Sequence, residues 1–166
     1  MDIEKLKRML NLEPLPDEGG YYAESYRSAE RLAGESLPER YAGERSFGTA
    51  IYFLLTPDTF SAMHRLASDE VYHFYLGDPV ELLCLSEDGS GEVLLIGSDP
   101  DAGMRPQVAV RQGAWQGSRL RAGGKFALLG TTVAPGFEFA DFELAKRELL
   151  TEGYPDFAEM IRELTR

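Results

Sequence analysis

Both histidines of the chain lie in one stretch, SAMHRLASDEVYHFYLGDP, residues 61 to 79, with Glu70 between them. Two imidazoles and a carboxylate can bind a divalent metal, or act without one as a base beside its carboxylate partner. They can equally be side chains of a buried strand pair. Strand parity divides the group: on an unbroken strand Glu70, Tyr72 and Phe74 share one face, while Val71, His73 and Tyr75 share the other. His73 is therefore expected on the outer face of its sheet, away from Glu70 and His64. A β-bulge between Glu70 and His73 would reverse that parity.

The elements that must position these residues follow from periodicity. Residues 2 to 11 read as a short amphipathic helix, with Asp2 as its cap and Ile3, Leu6, Met9 and Leu10 on one stripe, ended by Pro14 and Pro16. From Tyr21 the period changes to two, in YYAESYRS, and a polar loop, ESLPERYAGERS, follows. FGTAIYFLL, FSAMHRL, EVYHFYL, VELLCLS, EVLLIGS, PQVAVRQ, AWQGSRL and KFALLGTTV are then short β-branched or aromatic runs between turn residues. Turn signals at this spacing predict an antiparallel sandwich or barrel. FGTAIYFLL and VELLCL are apolar on both faces, so each side of their sheets must be covered, by another sheet or another subunit. A lone barrel would expose that surface, which predicts a symmetric homodimer. The tail from Ala140 returns to helical spacing around a Gly-Tyr-Pro break, predicting two short helices with Leu144, Leu149, Leu150, Phe157, Met160, Ile161 and Leu164 on their apolar sides.

Composition bounds the rest. A chain of 166 residues, 43% hydrophobic, is the size of one domain spanning 1–166. A net charge of −11 with no basic block argues against nucleic acid and anionic lipid as partners. The single Cys84, in an apolar run, leaves no disulfide framework and reads as a buried structural thiol. The amino-terminal stretch lacks the features of a signal peptide, and no apolar run reaches the ~20 residues of a membrane span, so a cytoplasmic location is expected.

The spacing His64, five residues, Glu70, six residues, Gly77 resembles the first motif of the cupin superfamily. RQGAWQ, residues 111 to 116, resembles the second, with Arg111, Gly113 and Gln116 at its proline, glycine and histidine positions. DEVYHFYLGDP and TTVAPGFEFADFEL are similar to a small cupin family of unknown function, the Cupin 5 group, and the likeness runs from about residue 3 to residue 165. It implies a mainly β fold, a cupin-type jelly roll or double-stranded β-helix with a short N-terminal helix and C-terminal helices, usually dimeric, with a ligand pocket in the barrel mouth. In that pattern His64, position 66 and Glu70 converge inside the barrel. Leu66 and Gln116, however, stand where two of the four metal ligands would be.

Three functions compete. The leading one is a metal-independent pocket that binds or isomerises a small polar metabolite, a sugar or sugar nucleotide, with His64, Glu70 and Tyr72 as catalytic candidates. Gln116 and Ser118 join them as ligand-binding candidates. In this reading Glu70 fixes the tautomer of His64, Tyr72 supplies the acid and Gln116 a polar contact. The second is a metal-dependent dioxygenase or isomerase holding a divalent ion on His64, Glu70 and Gln116. The third is a non-enzymatic ligand sensor. Trp115, of opposite parity to Gln116, is assigned to packing between layers or to a subunit contact. Arg65 and Arg111 read as solvated or paired with the acidic excess, with an anion near the mouth as the alternative partner. APGF, residues 134 to 137, reads as a turn whose glycine allows a positive φ, with Phe137, Phe139 and Phe142 able to anchor the tail on the sheet.

Overall fold

Period-two runs and the turn residues that end them build the body of the molecule, which a computed structural model describes for residues 2–166. The order is α1 (Ile3–Leu10), β1 (Glu13–Pro14), β2 (Tyr21–Arg27), β3 (Arg31–Leu32), β4 (Arg45–Ser46), β5 (Thr49–Leu55), β6 (Phe60–Leu66) and β7 (Asp69–Gly77). There follow β8 (Val80–Leu85), β9 (Gly91–Ile96), β10 (Gln107–Val110), β11 (Trp115–Leu120), β12 (Ala127–Ala134), β13 (Phe142–Leu144), α2 (Arg147–Gly153) and α3 (Ala158–Glu163). Two antiparallel sheets carry the fold, in the spatial orders β1-β2-β5-β12-β7-β10 and β13-β6-β11-β8-β9. This is the jelly-roll architecture expected of the chain, mainly β with short helices at both ends.

The two-sided strands explain where the helices go. Phe53 and Leu55 of β5, and Val80 and Leu82 of β8, meet between the sheets in the main core. Leu54, on the opposite face of β5, packs with Leu6 and Leu12 from the α1 region. Leu83 and Leu85, on the opposite face of β8, pack with Leu150, Ile161 and Leu164 of the C-terminal segment. Leu54, Leu83 and Leu85 are thus covered by the chain's own termini, while Tyr26, Tyr75 and Val93 of the two sheets stay exposed. Trp115 lies in that outer layer too, beside the C-terminal helices and 4.5 Å from the Arg65 guanidinium.

Asp2 caps α1 by accepting from the backbone N–H groups of Glu4 and Lys5, and Asn11 ends it in the left-handed region. Leu6 is buried as the stripe requires, whereas Met9 is exposed. The tail departs further from expectation. Helix begins only at Arg147, because Phe142–Leu144 pairs with β6 as an edge strand, and Leu144 and Leu149 are both exposed. Backbone pairing to β6 outweighs helical periodicity across that short stretch.

Two bulges set the parity of the site. In β7 the extra residue is Tyr75, since Leu128 faces Leu76 while Leu129 faces Phe74. It lies beyond His73, so His73 keeps the outer face, within hydrogen-bonding distance of Thr132 Oγ1 (3.1 Å) and stacked on Tyr75. In β6 Gln116 faces His64 while Ser118 faces Ser61, which leaves one unmatched residue between the two and lets both Ser61 and His64 point inward. Gly77 ends β7 with φ of 106°, and a Cβ there would lie 2.3 Å from the Phe126 carbonyl oxygen. Only glycine fits that position.

Candidate functional site

The bulge in β6 determines the state of His64. It brings the Ala62 carbonyl oxygen 2.7 Å from His64 Nδ1, and a carbonyl can only accept, so Nδ1 carries the proton. In the neutral imidazole Nε2 is then the acceptor. The imidazole is 2% exposed, stacks on Phe142 with ring centres 5.1 Å apart, and has no partner at Nε2 among the described residues. It forms part of the wall of a cavity of about 320 Å³, a volume suited to a small metabolite. The tautomer is therefore set by a backbone carbonyl, and not by Glu70 as expected from the sequence.

Glu70 reaches the same cavity from the other sheet. Its Oε2 accepts from Gln116 Nε2 at 2.7 Å, a bond that crosses the sandwich. Burial pushes its carboxyl above the ordinary value and nearby Glu18 adds to this, against His64, Thr131 and Gln116, which favour the charge. The neutral acid is accordingly favoured more than for a carboxyl in water. Thr131, on β12 opposite Tyr72, completes the polar lining at this end.

Of the five residues singled out in the sequence, His64 and Glu70 line the cavity, and Gln116 sits behind Glu70 as its donor. Tyr72 and Ser118 do not line it. Tyr72 has the parity expected but is fully buried in the main core, where burial, then Glu70, push its phenol well above the ordinary value. Ser118 is buried with its hydroxyl unpartnered. Arg65 pairs with Glu143 and Arg111 with Asp69, and neither reaches the cavity.

Sequence reasoning missed the rest of the wall. Arg27, from β2, stands at the mouth, where Nη1 donates to Glu138 at 2.9 Å and Nη2 to Glu24 at 2.8 Å. Glu18 comes from the turn before β2, held by the Ser61 hydroxyl at 2.6 Å. Phe137, Phe139 and Phe142 form one side of the cavity, where the sequence suggested only anchors for the tail. Gly136 before them has no positive φ. What it needs is space, since a Cβ there would lie 2.1 Å from Ser46 Oγ. The signals available, a Gly-Gly turn and an arginine ending a strand, mark local structure and carry no information about a wall assembled from residues 15 to 142.

A metal does not fit this donor set. No group of three His, Cys, Asp or Glu side chains placed to hold an ion exists among the described residues. Leu66 contributes an apolar side chain to the cavity, and the Gln116 amide is committed to Glu70 through its nitrogen. His64 and Glu70 alone fall short of the three protein ligands that such sites ordinarily use.

Residues 4–145 match the family model Cupin_5, described as Cupin superfamily (DUF985). The chain belongs to this family. The cupin is 36% identical to protein SO0799 from Shewanella oneidensis, with a TM-score of 0.86 over 100% of this chain and 98% of that one. It is 33% identical to a hypothetical protein from Leishmania major, again with a TM-score of 0.86, over 99% of both chains. Uncharacterized protein YML079W of Saccharomyces cerevisiae shares 28% identity over 139 residues, which is 79% of this chain and 69% of that protein. Oxalate decarboxylase from Bacillus subtilis shares the fold alone, at 14% identity and a TM-score of 0.54, over 93% of this cupin and 37% of the decarboxylase chain. No helix of the described residues is long and apolar enough to cross a membrane.

Proposed function

We propose that this cupin binds a small polar carbonyl metabolite, sugar-like in size, and interconverts its isomers without a metal. The observation that carries the reading is the buried His64 imidazole, whose Nδ1–H is committed to Ala62 while Nε2 meets the cavity beside Glu70. Nε2 takes a proton from the carbon next to the carbonyl, and the electron pair moves to the carbonyl oxygen. Glu70, in the neutral form that burial favours, donates to that oxygen. Return of the proton from Nε2 to the former carbonyl carbon, while the neighbouring hydroxyl gives its proton back to Glu70 and becomes the new carbonyl, completes an isomerisation on one face of the substrate. Inversion at a single carbon would need a second group on the opposite face. Tyr72 was the candidate for that role and is not in the cavity wall, which favours isomerisation between neighbouring carbons over epimerisation.

The test is carbon-bound hydrogen exchange. The protein is incubated in D2O with a panel of aldoses, ketoses and amino ketones, and deuterium is followed at the carbons flanking the carbonyl. Wild type is expected to label at least one member, and His64→Gln, folded by circular dichroism, to lose that labelling. Labelling that survives in His64→Gln contradicts the assignment of the base. Binding without labelling contradicts the isomerase and supports a ligand sensor.

A further inference from the structure

The charge of the cavity restricts what it can hold, and this inference rests on the reading above that the cavity is a binding site. Besides Glu70, four carboxylates, Asp17, Glu18, Glu24 and Glu138, line its wall and mouth, with the Arg27 guanidinium as the one permanent cation among the lining residues. Four of the five N–H groups of that guanidinium are engaged. Its Nε donates to Glu24 at 3.0 Å, Nη1 to Glu138 at 2.9 Å, and Nη2 to Glu24 at 2.8 Å and to the Phe137 carbonyl at 3.2 Å. A phosphate or carboxylate entering the cavity would find the one lining cation already paired with two carboxylates, and a surplus of negative charge.

The inner end independently asks for a donor. His64 is 2% exposed and aims an unpartnered Nε2 acceptor into the cavity. Glu18 lies on the same wall, with Oε1 accepting from the Ser61 hydroxyl and its other oxygen free of any donor among the described residues. Phe139 and Phe142 add aromatic rings to the wall, a lining compatible with a cation. We propose that the ligand carries an ammonium group, held by Glu18 and the mouth carboxylates, and that the cavity takes amines, amino-sugar-like molecules being the model class, in preference to anions. The sugar nucleotides suggested by the sequence do not suit this wall.

The experiment uses two charge-matched trios, glucosamine, glucose and glucuronate, and benzylamine, benzyl alcohol and benzoate. Each is titrated into the whole protein while the His64 imidazole resonances are followed. The amine of at least one trio is expected to bind about tenfold tighter than its neutral counterpart, with the carboxylate weakest. Glu18→Gln, which keeps a hydrogen-bond acceptor for Ser61, is expected to reduce that preference to below about threefold. A neutral or anionic member that binds tightest and shifts His64 overturns the charge inference while leaving the binding site in place. If no member shifts His64 at about 20 mM, the cavity is not a site for molecules of this size, and both readings fall.

Discussion

The segment that closes one side of the cavity is fastened by a buried ion pair, and removing one partner has a calculable effect. Arg45 Nε and Nη2 meet the two oxygens of Asp141 at 2.8 and 2.5 Å, and both side chains are 4% exposed. Asp141 lies between Phe137 and Phe142, so the pair ties this wall to β4. Asp141→Ala strands a guanidinium in a buried position, a change that costs about 3–5 kcal/mol. Arg45 keeps the Glu44 carbonyl at 2.8 Å and the Tyr41 ring at 5.5 Å, which places the expected loss near about 3 kcal/mol. In a chain of this length each kcal/mol moves Tm by about 2–4 °C, so a drop of about 6–12 °C is expected. Urea and thermal unfolding followed by circular dichroism measure it. Glu143→Ala breaks the solvent-exposed pair with Arg65 and serves as the control, with a cost below about 1 kcal/mol. Arg45→Met combined with Asp141→Leu removes both charges and is expected to recover most of the loss. An Asp141→Ala protein within about 1 kcal/mol of wild type, or a double variant no more stable than the single one, refutes the assignment of a buried latch.

Glu70 should impose a pH dependence on stability. Its folded-state pKa lies above the ordinary 4.5, because burial disfavours the charge, so the folded protein binds more protons in the interval between the two values. Stability from this group is therefore full below about 4.5, falls as pH rises through the folded pKa, and is level above it. Urea titrations of wild type and Glu70→Gln across that interval should show a difference that grows in favour of the variant with rising pH, and a constant difference contradicts the assignment. Cys84 offers a second check: burial pushes its thiol up to about 12, so little thiolate forms at pH 8. Iodoacetamide should modify it about a hundredfold more slowly in the folded protein than in urea, even allowing for the greater nucleophilicity of a more basic thiolate. Equal rates would show that the thiol is not in the environment described.

Strand parity made much of the site legible. It separates Glu70 from His73 on β7, because side chains of a strand alternate and the bulge in that strand falls at Tyr75, after both residues. It also places Gln116 and His64 on one inner face, where they pair across β11 and β6. What alternation cannot report is a backbone irregularity whose cause is tertiary. The extra residue in β6 turns both Ser61 and His64 inward and presents the Ala62 carbonyl to the imidazole, yet FSAMHRL reads as an ordinary strand. Covering apolar faces was likewise legible as a requirement, while the identity of the cover, the chain's own terminal helices, depends on how those helices dock. Arg27 and Glu18 were illegible because their role comes from distant partners, Glu138 and Ser61, that no local pattern connects to them.

The central claim is that His64 offers an unprotonated Nε2 to the cavity. Long-range proton–nitrogen correlation of the imidazoles tests it directly, and with two histidines in the chain a His73→Ala protein assigns the signals without ambiguity. For the neutral imidazole the account predicts a single tautomer of His64, with the proton on Nδ1 and Nε2 in the unprotonated range. A His64 protonated on Nε2 would contradict the account, since the cavity would then meet a donor and the base on which the proposed chemistry depends would not exist.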